Sequence, residues 1–140
     1  MNNIVEQPDR ALPPLDEACA EHPPAQLISS HPSERLVLSC ALREEKADLA
    51  RELFAQLSSD DFFDEAHRNL WQCRQNLDDA GLAAHPVAVV DMARRLGLNI
   101  NGPDYLIDLL RDEVLISASD AAVREAAQRV KELSVRRALI

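Results

Sequence analysis

From Pro32 onward the apolar side chains recur at intervals of three and four residues, with no β-branched run of period two. That spacing collects them on one side of an α-helix and scatters them over both faces of a strand, so such a chain buries apolar surface by packing helices. Leu36, Val37, Cys40 and Ala41 make a first stripe, opened by Pro32-Ser33 and ending near Arg43. Leu49, Leu53 and Leu57 make a second, stopped by the turn-forming Ser58-Ser59-Asp60-Asp61. A third helix, from Phe62 or Asp64 to Ala80, places Phe63, Ala66, Leu70, Arg74 and Leu77 on one face, with Gly81 as its stop, and is expected to be central in the core. Pro86 opens a fourth with Val89, Val90, Ala93 and Leu96 inward, and Gly97 ends it. Pro103 opens a fifth that buries Leu106, Leu109 and Leu110, and residues 117–120 read as a loop and a fresh helix start.

The last helix, about 119–140, carries Val123, Ala126, Ala127, Val130, Leu133 and Arg137 at helical spacing. The reading is all-α: a compact bundle of about six helices over 32–140, preceded by a flexible, proline-rich arm over 1–31 that lacks a sustained apolar period. One domain suits the length of 140 residues.

Composition removes several kinds of chemistry. Gly81, Gly97 and Gly102 are the only glycines, too few for a phosphate-cradling loop, and no G-x-x-x-x-G-K-[ST] string occurs. A net charge of −9 repels nucleic acid unless basic groups gather on one face. Arg124, Arg129, Lys131, Arg136 and Arg137 do concentrate in the last helix, but Glu125 and Glu132 interrupt them, a mixture that suits a solvated helix or a protein interface better than a phosphate track. Cys19, Cys40 and Cys73 lack pair spacing, and no signal-like or membrane-spanning segment is present, which fits free thiols in a cytoplasmic protein. The histidines and cysteines stand apart from one another, so no metal or other cofactor is expected. Adjacent residues on a helix diverge by about 100°, which denies His67 and Arg68 a shared substrate and leaves His67 a half-buried packing role. Trp71 reads as core, and Tyr105 as packed with its hydroxyl at the surface.

Several strings in order resemble one family. Residues 33–42, SERLVLSCAL, are similar to the opening E-A-E-Q-x-V-L-G-x-L-L of the N-terminal domain of DnaB-type replicative DNA helicases. The LSSDDFF of 57–63 resembles that family's L-x-x-x-D-F-Y, with Phe62 and Phe63 in place, and AHRNLW of 66–71 its x-H-R-x-I-F, with His67 and Arg68. PVAVVDM of 86–92 is similar to P-I-D-x-V-T-V, GPDYL of 102–106 to G-G-x-x-Y-L with Tyr105 and Leu106, and RRALI of 136–140 to L-R-R-L-I. Ser39 and Cys40 stand at the small glycine positions of the first helix, Ala88 where an acid is usual and Asp91 where threonine is.

The resemblance implies a non-catalytic assembly and docking domain. It would pair subunits in the collar of a hexameric helicase, bind primase and the helicase loader, and make no direct contact with nucleic acid or membrane. Subunit pairing, as a weak dimer or within a hexamer, is expected from Val123, Ala126, Arg129, Val130, Leu133, Arg136 and Arg137. The family's terminal hairpin would need a second arm after Ile140, so the chain reads as a piece of a helicase or as a stand-alone regulator that mimics the domain. The helicase-binding domain of a primase is a further alternative of similar helical composition.

Overall fold

The computed structural model describes residues 28–139, and residues 1–27 of the arm expected over 1–31 lie outside them. Seven α-helices appear among the described residues, and no strand: α1 (His31–Ala41), α2 (Ala47–Gln56), α3 (Glu65–Asp79), α4 (Pro86–Leu96), α5 (Gly102–Arg111), α6 (Glu113–Ile116) and α7 (Asp120–Ala138). Short 3-10 turns at Glu44–Lys46 and Ser59–Asp61 precede α2 and α3. His31, assigned to the arm by its sequence, is instead the first residue of α1, because the Ser30 hydroxyl accepts from the Ser33 amide and starts the helix there.

The central helix is α1 and not α3. It packs against α2, α3, α5, α6 and α7. The reason lies in its sequence, since residues 36–42 are apolar or small almost without interruption, and a helix apolar on all sides belongs inside. Val37, Leu38, Ser39, Cys40, Ala41 and Leu42 are all buried, whereas α3 keeps Gln72 exposed on an outer side. α3 contributes Leu70, Trp71, Cys73 and Leu77, and Phe54 and Phe62 pack on Trp71 with ring centroids 5.2 and 5.0 Å away. Arg74 enters the core with them, its Nε donating to the Ala41 carbonyl at 2.7 Å to occupy an orphan acceptor at the end of α1.

Two expected core positions face solvent. Phe63 precedes the first turn of α3 and so is out of phase with its buried face, being 48 % exposed. Leu96, in the last turn of α4, extends past its neighbours and is also exposed. The one-turn α6 interrupts what reads as a single run from α5 to the loop. The Asp112 carboxylate accepts from the Val114 and Leu115 amides and so starts a new helix directly after α5.

Candidate functional site

The longest helix, α7, holds the residues expected to pair subunits, and their fates differ. Val123, Ala126, Val130 and Leu133 are turned into the chain's own core, where α7 lies along α1 and α2. That apolar stripe is covered because α1 is apolar on the facing side as well. Arg137 is likewise engaged internally: Nη1 donates to the Ile28 carbonyl at 2.7 Å, Nη2 donates to the Asp61 carbonyl at 2.8 Å, and the guanidinium lies over the Phe63 ring. Arg129 is exposed and Arg136 half-buried. The apolar residues that α7 shows to solvent are Val135 and Leu139, which fall off the buried stripe.

Asp61 fastens α7 to the turn before α3. One carboxylate oxygen accepts from the Ser58 amide at 2.8 Å and the other from the Ser134 hydroxyl at 2.7 Å, with Lys131 Nζ at 3.3 Å. Burial acts to raise the Asp61 pKa, but the Ser58 amide, the Ser134 hydroxyl and the Lys131 charge outweigh it and hold the group below its ordinary value of 3.8. A depressed folded-state pKa contributes stability above the unfolded value and loses it as pH falls through the folded one. Stability is therefore expected to decline below about pH 4, with a shallower acid limb in Asp61→Asn, as read by urea unfolding at stepped pH.

A second polar cluster joins α1, α3 and α5 through the interior. Glu34 accepts from the Phe63 amide at 2.6 Å, from the Asp64 amide at 3.4 Å and from His67 Nδ1 at 2.7 Å. His67 Nε2 meets the Tyr105 hydroxyl at 2.5 Å, and Arg35 reaches that hydroxyl at 3.4 Å while holding Asp112 at 3.2 Å. Both Glu34 and His67 are buried. His67 is thus wholly enclosed and bonded at both ring nitrogens, not half-buried, and the Tyr105 hydroxyl points inward to it, not to the surface. Arg68 points the other way and donates to the Phe63 carbonyl at 2.6 Å, which shapes the start of α3. Leu106 is buried beside this cluster's helix, on the inner side of α5. The cluster was invisible as a unit in the sequence, because Glu34, His67 and Tyr105 are 33 and 38 residues apart; the available signal was one acid and one histidine set on otherwise apolar stripes.

The histidines are also less isolated than their spacing suggested. His31 and Asp64 lie next to His67 at the starts of α1 and α3, with the two imidazole centroids 4.8 Å apart. Cys40 and Cys73 are buried, and burial pushes both thiols up to about 11, which keeps them protonated and unreactive near neutrality.

This helical arrangement has a known counterpart. A family model described as "DnaB-like helicase N terminal domain" matches residues 26–132. The chain belongs to that family. It is similar to the crystal structure of the N-terminal domain of DnaB helicase from Mycobacterium tuberculosis, at 27% identity and a TM-score of 0.66 over 78% of this chain and 73% of that one. Among curated proteins none matches.

Two departures from the DnaB pattern have structural answers. Ser39, at a glycine position of the first helix, is fully buried and donates to the Leu109 carbonyl at 3.0 Å, while Arg43 donates to the Leu110 carbonyl at 2.8 Å. Ser39 of α1 and Arg43 just after it thereby bond carbonyls in the last turn of α5. At α4 the Val87 amide donates to His85 Nδ1 at 3.2 Å, so the cap comes from the residue before Pro86 and not from the altered Ala88 and Asp91. Among the described residues of this DnaB-type domain, no helix is long and apolar enough to cross a membrane.

Proposed function

We propose that this DnaB-type domain is the non-catalytic assembly and docking part of a replicative DNA helicase, pairing with other copies in a hexameric collar and binding primase and the helicase loader. The observation that carries the reading is the outer side of α7. Val135 and Leu139 stand four residues apart, hence on one face, and are 51 % and 82 % exposed, with Arg136 between them and Arg129 two turns earlier. Large apolar side chains flanked by arginine suit a protein interface. With Val123, Ala126, Val130 and Leu133 committed to the core, pairing falls to this second strip.

A groove of about 550 Å³ between α4 and α5, lined by Val87, Val90, Pro103 and Ile107 with Asp91 and Arg94 among them, supports the docking half of the reading, since it would accept a mainly apolar segment of a partner protein.

The pairing is tested by sedimentation of the 140-residue chain over a wide concentration range. Reversible self-association is expected, and Val135→Asp should weaken it about tenfold or more, equivalent to about 1.4 kcal/mol, while leaving the thermal midpoint unchanged. A chain that stays monomeric throughout, or a Val135→Asp variant that associates as the parent does, would overturn the pairing surface.

A further inference from the structure

The first turns of α1 and α3 bring one potential ligand atom from each of His31, Asp64 and His67 within 4.8 Å of the others. Asp64 Oδ2 and His31 Nδ1 face each other, and His67 Nε2 is held by the Tyr105 hydroxyl. Asp64 uses Oδ1 to cap α3, accepting from the Ala66 and His67 amides at 2.9 and 3.4 Å, and its Oδ2 stands 4.0 Å from His31 Nδ1. Glu34 can only accept, so the hydrogen of His67 in their 2.7 Å contact sits on Nδ1, and the lone pair is left on Nε2. A carboxylate behind one imidazole nitrogen is the arrangement that orients a histidine and raises the basicity of its other nitrogen toward a metal.

Charge and accessibility agree with that reading. Two carboxylates, Asp64 and Glu34, face the cluster, while Arg35, which reaches the Tyr105 hydroxyl, is paired with Asp112. His31 is the accessible member, with its side chain 55 % exposed, and His67 is the enclosed one.

We propose that His31, Asp64 and His67 form a binding site for a divalent transition metal of the Zn²⁺ class, with Glu34 positioning His67 from behind. Two imidazoles and one carboxylate are a borderline nitrogen and oxygen set, which favours Zn²⁺ over the all-oxygen cations Ca²⁺ and Mg²⁺. Ligand atoms around tetrahedral zinc are about 3.4 Å apart, so the set must contract by about an ångström, a movement available to the exposed His31 side chain. The Tyr105 hydroxyl gives up Nε2 in the process and keeps Arg35 as its partner. Three protein ligands leave a fourth position for water or for a group from another molecule.

The test uses the untagged 140-residue chain, freed of metal by chelator and titrated with Zn²⁺ by calorimetry. One ion per chain is expected, with a rise in thermal midpoint because the ion binds the folded state. His31→Ala and Asp64→Asn should each weaken binding about tenfold or more. Asparagine keeps the helix cap and His31 is exposed, so both variants should retain the wild-type circular dichroism. His85→Ala, which alters a histidine of α4, should bind as the wild type. Co²⁺ substitution should give visible bands of a tetrahedral site without thiolate charge transfer. No saturable binding of one ion, unchanged affinity in His31→Ala or Asp64→Asn, or a thiolate band would overturn the proposal.

Discussion

Leu133→Asp is expected to unfold the domain, not to separate intact copies of it. Leu133 and Val130 are 3 % and 2 % exposed, at the seam between α7 and the rest of the bundle. Loss of a buried leucine costs about 2–5 kcal/mol, and an unpaired carboxylate left in its place adds to that, for a sum of about 5 kcal/mol or more. Domains of this size are stable by about 5–15 kcal/mol, so the variant should show little or no cooperative transition in urea when followed by far-ultraviolet circular dichroism. The contrast with Val135→Asp, two residues away on the exposed side of the same helix, separates a core role from a pairing role. A Leu133→Asp chain that melts like the parent while its copies dissociate would put the stripe back at a subunit interface.

Glu34→Ala should be nearly as damaging, although it deletes a charged residue. The carboxylate serves the Phe63 amide, the Asp64 amide and His67 Nδ1 together, and no other acceptor is bonded to these donors. Removing one partner of a buried polar set leaves the others desolvated and unpaired, at about 3–5 kcal/mol. Chemical denaturation is expected to show this as a lower midpoint with little change in slope. Glu52→Ala, which removes an exposed pair with Arg124, is the control and should leave the midpoint close to that of the parent. Equal, small effects from the two substitutions would mean that Glu34 is as well solvated as Glu52.

The helices were legible because each carries a periodic apolar stripe and a start or stop residue that acts locally. Pro86 and Gly97 bracket α4 through their own backbone preferences, and no distant contact is needed to place them. The resemblance of short strings to the DnaB family was legible for the same reason, since those strings fall at helix starts and buried turns. What could not be read is whatever depends on which helices become neighbours. The burial of Val130 and Leu133 depends on α1 lying opposite, and the inward turn of the Tyr105 hydroxyl on a histidine 38 residues earlier in the chain. His31 and Asp64 gain each other only when the first turns of two helices meet. The small helix α6 had a local signal in Asp112-Glu113, an acceptor followed by an acid in the first turn, but its length gives no apolar period to support it.

Arg137 bridges the Ile28 carbonyl and the Asp61 carbonyl, and so ties the beginning of the described chain to its final helix. In mechanical language the domain is a buckled strap. Tension applied ahead of α1 is passed by one guanidinium to the end of α7 before it loads the helix packing, and tension on α7 runs back along the same route. Residues 28 and 137 are therefore held at one point on the body, beside the turn that precedes α3.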